Sequence, residues 1–174
     1  MKYSFVRFFF QAWLLLLAGC AGVAPPTPSE TQPQQPGEAA IVEPVPRSAM
    51  SDNRAVIALL DRAHTDNASG QREAAGASLE RALRIEPRNP WLWLELAQVR
   101  LAQGQYAQAI TLARKSNSFA GHQPRAQAEN WQVIGKARVA QGDSAGAEQA
   151  FKLSAELAQQ AKAESDRGSV FNFQ

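Results

Sequence analysis

The chain has 174 residues, which favours one domain, and its 18 bases face 16 acids. Two of the bases, Lys2 and Arg7, lie in a segment read below as removed. Without them 16 bases face 16 acids, and a neutral chain gives no electrostatic case for nucleic acid. A single cysteine excludes an internal disulfide framework, and with only two histidines, His64 and His122, no clustered metal site is expected.

Residues 1–7 carry Lys2 and Arg7, and Phe8 to Leu17 is an apolar run of ten broken only by Gln11. Such a run is too short to span a bilayer and has the length of a signal-peptide core. It ends Leu17-Ala18-Gly19-Cys20, which resembles the lipobox of bacterial lipoproteins. That resemblance implies cleavage between Gly19 and Cys20, a diacylglycerol on the Cys20 thiol and an acyl chain on the new amine. No other cofactor is implied. Two or more chains anchor stably, since each buried CH₂ contributes roughly 0.8 kcal/mol. The alternative is an ordinary secretory signal with a chance cysteine. Ala21, not Asp, follows the cysteine, and this resembles outer-membrane sorting. The implied location is the inner leaflet of the outer membrane, facing the periplasm. Residues 20–50 then hold seven of the ten prolines, from Pro25 to Pro46, with polar residues between them. They show no amphipathic period and are expected to be a disordered, polyproline-like tether.

From residue 51 the pattern becomes helical. Ser51 or Asp52 can cap a first helix running to about Ala68, with Ala55, Val56, Leu59, Leu60 and Ala63 on one face. After a turn at Gly70, a second helix spans about Gln71 to Ile85 and stops before Pro87. Asn89 caps a third helix with Pro90 in its first position; it ends near Gln103, and Gly104 turns the chain. A fourth helix covers about Tyr106 to Asn117. A longer connection, Ser118 to Pro124, then holds four extra residues. A fifth helix runs from about Arg125 to Gln141 and a sixth from about Ser144 to Ala163, with Gly142 between them. Residues 165–174 form a tail in which Ser169-Val170-Phe171-Asn172-Phe173-Gln174 alternates polar and apolar, expected either to cap the array or to meet a partner.

Three segments repeat one another. Trp93, Leu96, Ala97, Gly104, Ala109 and Ala113 reappear 38 residues on as Trp131, Ile134, Gly135, Gly142, Ala147 and Phe151. A worn copy lies 34 residues earlier as Leu59, Ala63, Gly70, Ala75 and Leu79. This pattern resembles the tetratricopeptide repeat family, with repeats at about 55–88, 89–122 and 127–160. The resemblance implies an all-α fold: a short α-solenoid of about three helix-turn-helix units over 51–164. The family's late tyrosine in the first helix of each repeat is Asp66, Arg100 and Arg138 here, so that contact is lost or rebuilt on an arginine stem. Trp93 and Trp131 are expected to fill the core.

No Ser-His-Asp set, paired cysteines, phosphate loop or HExxH is present, and no enzyme is expected. His64 and His122 read as surface or capping residues, and Glu80, Glu86 and Glu95 as helix partners. Candidate binding residues come from the resemblance, because the family's inner helices face a ligand. They are Ile57, Leu60 and His64; Trp91, Leu94, Gln98 and Leu101; and Gln132 and Lys136, with Glu129 and Val139 at corresponding positions. The alternative is that both stripes of the central helix are core. At Leu60, His64, Glu95, Glu129 and Val133 the basic clamp of chaperone-tail binders is absent. The expected function is a lipid-anchored envelope adaptor holding a protein or peptide partner, such as an envelope hydrolase, protease or pilus or secretion component. Self-assembly, as a homodimer through end helices, is the other expectation.

Overall fold

The computed structural model describes residues 46–171. The expected signal segment, Gly19, Cys20, most of the expected tether and the last three residues of the tail lie outside the described residues. Within them are seven helices and no strand: α1 (Arg47–Met50), α2 (Arg54–Ala68), α3 (Arg72–Ile85), α4 (Pro90–Ala102), α5 (Tyr106–Ala120), α6 (Pro124–Ala140) and α7 (Ser144–Phe171). The expected all-α solenoid is present. α2/α3, α4/α5 and α6/α7 are the helix pairs, and each pair stacks on the next through α3 on α4 and α5 on α6.

The three turns inside the pairs are built alike. Gly70, Gly104 and Gly142 sit at φ of 77°, 76° and 80°, a left-handed backbone that suits glycine. Their N–H groups donate to Asn67, Leu101 and Val139, and those of Gln71, Gln105 and Asp143 donate to Asp66, Arg100 and Arg138. This paired reverse bonding is the Schellman end of a helix, repeated three times. Asn89 caps α4 as expected, its Oδ1 accepting from the Trp91 N–H at 2.9 Å.

Several boundaries differ from the sequence reading. The cap of α2 is Asn53, whose Oδ1 accepts from the Ala55 N–H at 2.9 Å, rather than Ser51 or Asp52. Ser51 instead donates to Glu86 Oε1 at 2.7 Å, while Asn89 Nδ2 donates to the Met50 carbonyl at 2.7 Å. These bonds tie the incoming chain to the α3–α4 connection, where Met50 and Ser51 are buried. The four extra residues do not lengthen a loop. α5 continues to Ala120, and α6 has 17 residues against 13 in α4, so they form an added helical turn behind Pro124. The end of the domain also shifts: α7 does not stop near Ala163 but continues helical to Phe171.

Val56, Leu60, Leu79, Leu92, Leu94 and Ile134 are the large apolar side chains fully buried in the core. Ala75, Ala97, Ala109, Gly135 and Ala147 are buried where helices meet closely. Gly135 is needed there: a Cβ on it would lie 2.5 Å from Phe151 Cε1. The two tryptophans of α4 are buried in the opposite order to expectation. Trp91 belongs to the core at 9% exposure, whereas Trp93 is half-buried against it, as is Trp131. The indole N–H explains the placement of Trp93. It donates to the Pro87 carbonyl at 2.9 Å, and the ring lies 6.5 Å from Phe119 at the edge of the stack.

The arginine stems do rebuild contacts. Arg100 lies over Gly76 of α3 and donates to Glu80 at 2.7 Å and Gln103 at 2.8 Å, joining the first two pairs. Arg138 donates to the Gly146 carbonyl at 2.8 Å and stays within its own pair.

Candidate partner-binding face

α2, α4 and α6 are the first helices of the three pairs, and they carry all the candidate residues. Of these, Leu60 and Leu94 are fully buried and Trp91 nearly so. Their expected place on a ligand-facing surface is therefore corrected: they are core. α4 has a neighbour on each side, which covers Trp91 and Leu94 of one stripe as well as Leu96 and Ala97 of the other. Ile57, His64, Gln98 and Leu101 are half-buried, and Gln132 and Lys136 are exposed. The stripe is largely closed in the first two repeats and opens in the last.

A polar strip crosses the three helices beside it. His64 Nε2 on α2 is 3.0 Å from Glu95 Oε2 on α4, with side-chain exposures of 32% and 15%. On α6, Arg125 Nε lies 3.6 Å from Glu129 Oε1, an ion pair too long for a hydrogen bond. Burial pushes the Glu129 carboxyl above the usual carboxylate range, Arg125 opposes that shift, and the negative charge of Glu95 adds to it. Nε and Nη2 of Arg125 are buried without a hydrogen-bond acceptor. The strip therefore holds part-exposed charged groups whose bonding within the chain is incomplete, which a second molecule with complementary polar groups could complete.

The pairing of His64 with Glu95 was not legible in the sequence. The residues stand 31 apart, and only the stacking of α2 beside α4 joins them. The helix-partner reading of Glu80 and Glu86 agrees with the structure, where they accept from Arg100 and from Ser51 and Asn89. Among the described residues, no group of three His, Cys, Asp or Glu side chains is placed to hold a metal. No described helix is long and apolar enough to cross a membrane.

The tetratricopeptide repeat model matches residues 66–128. The globular C-terminal domain of LpoP from P. aeruginosa is similar at 48% identity and a TM-score of 0.58, over 59% of this chain and 96% of that one. The N-terminal domain of stress-induced protein-1 from C. elegans is similar at 22% identity and a TM-score of 0.54, over 66% and 96% of the two chains, a likeness of fold alone. No curated protein matches the sequence significantly. The family model, the repeated turns and the stacked pairs together show a tetratricopeptide repeat in the chain, and the identity across nearly the whole LpoP domain makes the chain a relative of that domain.

Proposed function

We propose that the protein is a lipid-anchored adaptor of the cell envelope that holds a protein or peptide along the α2–α4–α6 face and does no chemistry of its own. One observation carries the reading: the strip from His64 through Glu95 to Glu129 and Arg125 draws on all three repeats and leaves buried polar atoms unsatisfied. Beside it Ile57, Gln98 and Leu101 stay partly open, and Gln132 and Lys136 fully so. A face that mixes part-open apolar side chains with fixed polar groups suits a helix or an extended segment of a partner. The Leu17-Ala18-Gly19-Cys20 sequence supports the anchor, and the proline-rich stretch behind it supports a spacer between lipid and array.

Affinity capture from detergent-solubilised envelope tests the face. Lys136→Glu and Gln132→Glu alter exposed residues, so helix content should be unchanged while recovery of the partner falls. Equal recovery with wild type and both variants would sink the reading. For the anchor, mass spectrometry of native protein should show acylated Cys20 as the first residue, and Cys20→Ser should release the protein from the membrane fraction. An intact Met1 would refute it.

A further inference from the structure

The last helix pair ends the array without a cover. In the first pair, Leu79 and Leu83 are 0% and 8% exposed where α3 meets α4; in the second, Ala113 and Ala120 are 0% and 1% exposed where α5 meets α6. The matching residues of α7 are Phe151, Ala155 and Ala158. Phe151 is 38% exposed, Ala155 is exposed and Ala158 is half-buried. Beside them opens a groove of about 560 Å³ whose lining includes Val139, Ala147, Glu148, Phe151 and Lys152. Val139 is 58% exposed. A terminal repeat ordinarily presents a polar outer face, and this one leaves a part-exposed aromatic ring, a valine and two alanines open among Glu148 and Lys152.

The row has a symmetry of its own. Glu148, Phe151, Ala155, Ala158 and Lys162 follow the alternating three- and four-residue spacing of a single helix stripe. Ala155 is its centre, with Glu148 seven residues before and Lys162 seven after. Laid antiparallel on a copy of itself about Ala155, the stripe sets Glu148 opposite Lys162, Phe151 opposite Gln159 and Lys152 opposite Ala158. The opposed charges meet twice, and alanine at the crossing lets the backbones approach. α7 is long enough to do this. It has 28 residues where α3 and α5 have 14 and 15, and a helix of their length would stop near Ala158, short of Lys162.

We infer that this end of the array is the interface of a symmetric homodimer, in which α7 of one copy takes the place that the next inner helix would take on the other. The contact is isologous, so it closes at two copies rather than growing a fibre. The described part of the tail does not fold back into the groove. α7 stays helical to Phe171, which lies about 24 Å along the axis from Ala155 at 1.5 Å per residue.

Sedimentation velocity of the full chain, with cysteine cross-linking at the centre of the stripe, tests the inference. Wild type should show a monomer–dimer equilibrium. Ala155→Cys should cross-link to dimer with a short bismaleimide far beyond the background from Cys20 in the parent. Glu148→Lys and Lys162→Glu should each weaken association about tenfold or more. The double variant Glu148→Lys/Lys162→Glu should restore it, which a mere folding defect would not. A chain that stays monomeric at millimolar concentration overturns the inference. So does failure of the double variant to recover, or occupation of the groove by a helix of another protein while the chain remains single. Partner capture on the α2–α4–α6 face is read separately, so the two proposals can fail independently.

Discussion

The second and third helix pairs share one pattern at a shift of 38 residues, and their fates differ with their neighbours. Ser116 and Ser154 make the same bond, each donating to a carbonyl 26 residues earlier, on Pro90 at 2.7 Å and Ala128 at 2.8 Å. The shared turns and this shared bond show that the backbone frame is common to both. Yet Leu94 is 1% exposed where Gln132 is open, and Ala113 is 0% exposed where Phe151 is 38% exposed. In a stacked array, a residue's environment is set by whether another pair follows it more than by its place in the repeat.

The largest expected effect sets Leu94 against its counterpart. Leu94→Ala empties a sealed core and should lower unfolding free energy by about 2–5 kcal/mol. Gln132→Ala, on the open face, should change it by less than about 0.5 kcal/mol. Urea denaturation of the two variants checks this, and similar losses from both would break the comparison.

The serines sharpen it at a finer scale. Ser116 is fully buried, donates to Pro90 and accepts from Asn130 Nδ2 at 2.7 Å. Ser116→Ala removes two buried hydrogen bonds and should cost about 1–3 kcal/mol. Ser154 is part-buried and makes one such bond, so Ser154→Ala should cost about 0.5–1.5 kcal/mol. Equal losses in thermal melts would show that the last pair is as well covered as the middle one.

The smallest effect concerns Glu129, which occupies the position of buried Trp91 but stays part-exposed. Its folded carboxyl holds its proton to higher pH than in the unfolded chain. Its contribution therefore favours the fold below the ordinary carboxylate range and is lost as pH rises through the raised value. Glu129→Gln should flatten the fall in melting temperature just above that range and raise it by a degree or two at neutral pH. Melts across mildly acidic to neutral buffers read this out. An unchanged slope would remove the strained carboxylate from the account of the polar strip.

Much of the frame was legible before any coordinates. Gly70, Gly104 and Gly142 announced the turns through their spacing, and Asn89-Pro90 announced the start of α4. These signals are local: a glycine at positive φ or a capping side chain acts within five residues of itself. The errors were of another kind. The four extra residues became helix because Ser118 to Ala120 extend α5 and Pro124 opens α6, which a count of residues between patterns does not distinguish from loop. Trp91 and Trp93 are two residues apart on one helix, and nothing in their spacing says which side meets the core.

The sequence by itself determined the helical class, the three pairs and the shape of their turns, because these rest on short-range preferences. Only the tertiary structure decided that Trp91 is buried while Trp93 bonds the Pro87 carbonyl, that His64 finds Glu95, and that Phe151 packs on Gly135 yet stays partly exposed. Each of those outcomes depends on a helix laid alongside, and side-by-side packing reaches across a separation in sequence that local propensity does not span.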